Sequence, residues 1–177
     1  MSMQRRWVLA TVFGALCASA PAVAQVDLGG LVKKAATSAG GAARGEVLKE
    51  INAKLLAEGR KNQCSFKTDS DVLAPGCDSK MKKLANVLIE TKKRLTGAKI
   101  DTFKFEVSGH TDSKGKADHN KELSQKRAAV IVKELVARNV PQSEIIAVGY
   151  GSDKPVVTPD DTDAKRAKNR RYEIQVR

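Results

Sequence analysis

Thr102-Phe103-Lys104-Phe105-Glu106-Val107-Ser108-Gly109-His110-Thr111-Asp112-Ser113-Lys114-Gly115 passes from a strand pattern into a polar loop and then leads to a helix. Phe103, Phe105 and Val107 alternate with Lys104, Glu106 and Ser108, which predicts a half-buried strand over 102–108 that Gly109 ends. The loop through Gly115 is polar enough to be exposed. Asn120 is the predicted N-cap of the next helix, Glu122 suits its first turn, and Pro141 stops it after Asn139. This order puts a carboxylate, Asp112, on the strand's exit loop and a guanidinium, Arg127, on the helix that follows.

On the C-terminal side, 145–150 reads as a strand and 152–168 as a loop with a short helix. The last strand spans 171–177, with Tyr172, Ile174 and Val176 on one face. On the N-terminal side, Ser65-Phe66-Lys67-Thr68 is a short strand candidate followed by the polar loop Asp69-Ser70-Asp71. Asp78 or Ser79 is the expected cap of a helix whose buried face is Met81, Leu84, Ala85, Leu88 and Leu95. Strands alternating with helices and closing on two strands give an α+β or α/β sandwich on a mixed sheet.

Further out, Val47, Leu48, Ile51, Leu55 and Leu56 recur at helical spacing over 46–58, with Gly59 as a stop. This amphipathic helix either packs on its own domain or docks a partner. The Gly/Ala-rich stretch 26–44 reads as a flexible leader or weak helix, broken at Gly29-Gly30 and Gly40-Gly41. Residues 1–24 have the form of a secretory signal: Arg5 and Arg6, an apolar run, then Ala22-Val23-Ala24 before a cleavage point at Gln25. The apolar run is shorter than the ~20 residues that a membrane span requires. Leu16 before Cys17 argues against a lipid anchor.

Losing residues 1–24 removes two of the 32 basic residues and none of the 20 acidic ones, which leaves a net charge of +10. Such a balance favours an anionic partner or simply a solvated lysine-rich surface. Export argues against nucleic acid. Cys64 and Cys77 then remain as an even pair in an oxidising compartment and are expected to form one disulfide. His110 and His119 with two cysteines make a poor metal set, and no cofactor motif is present. His110, Asp112 and Ser113 or Ser124 superficially offer hydrolase parts, but no nucleophile-elbow motif frames them, so no enzyme is expected.

Arg127 lies four residues after Leu123 and four before Ile131, so helical geometry points it along the apolar face. A charge placed there needs a partner, and Asp112 is the nearest plausible acid in the sequence. Two readings follow: a structural ion pair between loop and helix, or a ligand site. In the second, the carboxylate accepts from an ammonium while the planar guanidinium binds a carboxylate, matching the two charges of an amino-acid Cα centre.

Residues 64–177 resemble the OmpA-like peptidoglycan-binding domain. The resemblance rests on Phe66 with Ser70 and Leu73; Gly109-His110-Thr111-Asp112 with Gly115; Asn120, Leu123, Ser124, Arg127 and Ala128; Gly149-Tyr150-Gly151 with Pro155; and Arg166-Ala167 with Asn169-Arg170-Arg171. It implies an α+β fold of βαβαββ order with a four-stranded mixed sheet packed by helices, over 63–177, after a 25–62 leader and helix. It also implies a periplasmic protein, cell-wall or outer-membrane associated, that binds the peptide stem of peptidoglycan. Asp112 and Arg127 would hold the ammonium and carboxylate of diaminopimelate, with support from Thr111, Asn120, Leu123, Arg170, Asp69 and Asp71. The chain departs from the family at Lys67, where an acid is common, and at His119, where an aromatic is common. A basic envelope interaction protein with a degenerate site, acting through partners such as an envelope protein docked on 46–58, is the alternative.

Overall fold

The computed structural model describes residues 40–177. The expected signal segment and most of the expected leader lie outside the described residues. Four helices and three strands follow in order: α1 (Gly40–Lys61), α2 (Asp78–Gly97), β1 (Phe105–His110), α3 (Ala117–Val136), β2 (Ile145–Gly151), α4 (Asp163–Asn169) and β3 (Arg171–Val176), with a 3-10 turn at Gln142–Glu144 before β2. The sheet order is β2-β1-β3, with β1 and β2 parallel and β1 and β3 antiparallel. The mixed α+β sheet is as expected, but among the described residues it has three strands and not four. Among the described residues no helix is long and apolar enough to cross a membrane.

The missing strand has a physical cause. Residues 65–68 make only an isolated bridge, Phe66 to Leu73, inside their own turn. The outer edge of β3, where a fourth strand would pair, is already occupied by side-chain amides. Gln63 donates to Tyr172 O at 2.7 Å and accepts from Tyr172 N at 3.3 Å. Asn52 of α1 accepts from Val176 N at 2.7 Å and donates to Val176 O at 3.3 Å. Two amides thus do for the edge what a strand's backbone would do.

The core lies between the helices and one face of the sheet. Met81, Leu84, Leu88 and Leu95 of α2 meet Phe105 and Val107 of β1, Ile131 and Leu135 of α3, and Tyr172 and Ile174 of β3. Ile51 and Leu55 of α1 belong to the same cluster, with Val47 and Leu48 packed against it, so the stripe of that helix packs on its own domain. Each such side chain contributes ~1.5–3 kcal/mol when fully buried. Cys64 and Cys77 are disulfide-bonded with Cα atoms 5.6 Å apart, an ordinary separation, and they fasten the segment after α1 to the start of α2.

Several boundaries differ from expectation. α1 runs through Gly59 to Lys61 and takes in Gly40 and Gly41. Asp78 is the first residue of α2 and not its cap. β1 extends to His110, and the face expected to meet solvent is closed: Glu106, Ser108 and His110 are 8%, 2% and 3% exposed. A central strand is shielded by its neighbours' side chains, and here Arg177 and Tyr150 both reach Glu106. α3 begins at Ala117, so Asn120 lies inside it, and it ends at Val136 with Asn139 left-handed at φ 70°. α3 sits very close to the sheet because Gly109 and Gly149 leave room: a Cβ on either would overlap backbone of Ser124 or Gln125.

Candidate ligand-binding site

β1 delivers its exit loop to the edge of a cleft of about 1070 Å³. Thr111 starts the loop, its N–H bonded to Gly151 O of β2 and its hydroxyl donating to Asp112 O. Asp112 turns the chain by accepting from Lys114 N at 3.1 Å. Freed from capping the helix, the Asn120 amide reaches back and donates to Lys114 O at 2.8 Å and Asp112 O at 3.4 Å. Gly115, at φ +92°, lies against that amide and takes the left-handed turn that a side chain would strain.

The Asp112 carboxylate is not paired with Arg127. Its partner is Arg170, at the end of α4, with Nη1 2.7 Å from Oδ2. Asp112's side chain is 12% exposed and Arg170's 42%, so the pair is open to solvent on the arginine side. Arg127 is fixed differently. Its Nε donates to Ser70 O at 2.9 Å, its Nη2 donates to Lys67 O at 3.4 Å, and the guanidinium lies 5.1 Å over the Phe66 ring. The expected need for a partner is met by two backbone carbonyls and an aromatic face. Burial pulls the Arg127 pKa below the usual arginine value, Asp69 opposes this, and the like charge of Arg170 adds to it.

The cleft brings together Asp69, Thr111, Asp112, Asn120, Leu123, Arg127 and Arg170, from the 66–71 turn, the β1 loop, α3 and α4. Asp71 does not line it and acts on Arg127 only through its charge. Both departures noted in the sequence fall on the rim. His119 Nε2 meets Asp69 Oδ1 at 2.7 Å, and Lys67 presents its backbone oxygen to Arg127.

Asp160 is a supporting residue that carried no sequence signal of its own. Asp160, in the polar stretch before α4, accepts from Ser113 N at 2.9 Å and from the Ser113 hydroxyl. It also accepts from Asn169 Nδ2 at 3.0 Å. The Ser113 hydroxyl, the Asn169 amide and the Ser113 N–H hold the Asp160 carboxyl down at about 2. Asn169 is 1% exposed and also gathers Val156 N and Val157 N, tying the 152–162 loop to α4. Asn169-Arg170-Arg171 therefore divides its work: Asn169 holds the loop, Arg170 holds Asp112, and Arg171 pairs with Glu173 at 2.8 Å.

His110 ends β1 beside this loop. Its ring stacks on Tyr150 with centroids 5.5 Å apart, and neither ring nitrogen has a hydrogen-bond partner. Burial, and then the positive charge of Arg171, lower its pKa to about 4. The Ser113 hydroxyl is engaged by Asp160, and that of Ser124 donates to Lys121 O and accepts from Gly151 N, so neither serine bonds to His110. What the cleft offers is a half-exposed carboxylate–guanidinium pair facing a second guanidinium that lacks a carboxylate. Such a set suits a ligand carrying an ammonium and a carboxylate.

The OmpA family profile matches residues 65–170. Outer membrane porin F of Pseudomonas fluorescens is 39% identical over 111 residues, which is 63% of this chain and 31% of that protein. Peptidoglycan-binding protein ArfA of Mycobacterium bovis is 43% identical over 70 residues, covering 40% of this chain and 21% of that protein. The chain thus spans about a third or less of the length of these relatives. Among solved structures, the peptidoglycan-associated lipoprotein of Burkholderia pseudomallei has the same fold, with a TM-score of 0.53 at 23% identity over 65% of this chain and 89% of that one.

Proposed function

Because the chain belongs to the OmpA family, with the match carried by residues 65–170, we propose that it binds peptidoglycan noncovalently and tethers itself, or a partner, to the wall. The relative named as a peptidoglycan-binding protein supports this at the level of the ligand. At the level of residues, the free zwitterionic end of diaminopimelate in the peptide stem is gripped between Asp112 and Arg127. One observation carries the assignment. Arg127 is half-buried and held in place by two carbonyls and the Phe66 ring, in the same cleft as Asp112, so its charge is oriented with no carboxylate bonded to it. An incoming carboxylate supplies that answer, and the incoming ammonium takes up Asp112, sharing it with or displacing Arg170.

The role is binding and not catalysis, and the compartment is the periplasm, at the wall or the outer membrane. Thr111, Asn120, Leu123 and Arg170 shape and support the grip, Asp69 forms the rim with His119, and Asp71 contributes charge. The test is co-sedimentation of the protein lacking residues 1–24 with purified sacculi, at both low and high salt. Asp112→Ala and Arg127→Ala should each lower binding at least tenfold with the fold intact by circular dichroism. Binding that vanishes with salt and ignores both substitutions overturns the proposal and leaves diffuse attraction of a basic protein to an acidic polymer.

A further inference from the structure

The cleft is larger and more cationic than one amino-acid centre requires. Its volume of about 1070 Å³ is just above the ~300–1,000 Å³ that houses drug-sized ligands. Four carboxylates line it, and each is already paired: Asp69 with His119, Asp112 with Arg170, Asp163 with Arg166 and Glu173 with Arg171. Among the described residues five lining cations have no carboxylate partner. Arg127 is one, and Lys67 and Lys114 flank it and Asp112. The other two, Arg60 and Lys168, come from α1 and α4, which carry neither Asp112 nor Arg127.

Both line the cleft, and the fold ties together the chain segments that carry them. Gln63, three residues after Arg60, is bonded to the backbone of Tyr172, four residues after Lys168. The C-terminal end of α1 is thereby fixed to the chain just beyond α4. We propose that Arg60 and Lys168 form a second anion subsite that takes a further carboxylate of the same wall peptide. It rests on the reading of Asp112 and Arg127 as the grip on diaminopimelate. The protein then reads a stem peptide with at least one more free carboxylate, and amidation of that peptide weakens it as a ligand.

The experiment is calorimetric titration at physiological salt of the wild type and the Arg60→Gln/Lys168→Gln double variant. Three probes are used: free meso-diaminopimelate; a tripeptide of L-alanine, γ-linked D-glutamate and meso-diaminopimelate; and that tripeptide amidated at every carboxylate outside its free zwitterionic centre. Exposed ion pairs are weak individually, so the wild type should prefer the unamidated tripeptide by roughly three- to tenfold. The double variant should lose that preference while its affinity for free diaminopimelate stays within about twofold. Equal affinity of the wild type for the two tripeptides overturns the subsite. So does a double variant that weakens free diaminopimelate as much as the tripeptide, since that is long-range charge alone. Failure of the wild type to bind free diaminopimelate at all, with no effect of Arg127→Ala on any probe, removes the grip itself and the subsite with it.

Discussion

At the scale of single residues, Arg127 and His110 show two ways of holding a titratable group away from its usual partner. Arg127 was legible because a guanidinium on the Leu123–Ile131 stripe must be satisfied. The groups that satisfy it were not legible, because the carbonyls of Lys67 and Ser70 come from a turn some sixty residues earlier and a backbone oxygen leaves no mark in a sequence. Of the two readings left open for Asp112 and Arg127, the direct ion pair is not the one that forms: the sequence ranks acids by proximity, while the fold brings Arg170 to 2.7 Å from Asp112. His110 yields a pH prediction. Its folded pKa of about 4 lies below the ordinary 6.5, so the fold favours the neutral ring. The stability this confers is fully present above about pH 6.5 and is lost as pH falls toward 4, by ~3 kcal/mol in all. Urea unfolding at pH 7 and pH 4 should show that loss in the wild type and a smaller one in His110→Phe. An equal loss in both would assign the acid sensitivity to other groups.

At the scale of elements, β1 and β3 were legible from alternation, β2 from a largely apolar run, and α1 and α2 from their apolar spacing. The fourth strand that was expected does not form, because its place is taken by Asn52 and Gln63, whose side chains look like ordinary surface amides in the sequence. Removing both with Asn52→Ala/Gln63→Ala should expose the backbone of Tyr172 and Val176 and lower stability by ~2–4 kcal/mol, read from the urea midpoint. Faster hydrogen exchange at those two amides should accompany it, and an unchanged midpoint would mean that water serves the edge equally well. Helix starts were misread for a related reason. Asn120 has the right side chain for a cap, but its amide is drawn to Lys114 O, and the helix starts three residues earlier. Asn120→Ala should therefore leave helix content unchanged while weakening ligand binding several-fold, and a loss of helix with no loss of binding would restore it to a capping role. The disulfide fastens a different part of the fold, joining the segment after α1 to the start of α2, although Cys64 also lines the cleft. Cys64→Ser/Cys77→Ser should cost ~3 kcal/mol of stability in the chain-entropy model and leave affinity near that of the wild type, whereas a large loss of affinity would make the staple part of the site.

At the scale of the whole molecule, the proposed ligand class rests on charge and family, and the proposed grip rests on the cleft. A protein with 32 basic residues against 20 acidic ones adheres to an acidic polymer without any pocket, so sedimentation alone cannot separate the grip from the background. A ligand pair that differs only in the group Arg127 should hold separates them. The measurement is the affinity of the wild type and of Arg127→Ala for a stem peptide containing diaminopimelate and for the same peptide with lysine in its place, which keeps the ammonium and lacks the adjacent carboxylate. The wild type should favour the diaminopimelate peptide at least tenfold, and Arg127→Ala should bind the two alike. Equal affinity of the wild type for both peptides, or discrimination that survives in Arg127→Ala, would contradict the grip between Asp112 and Arg127.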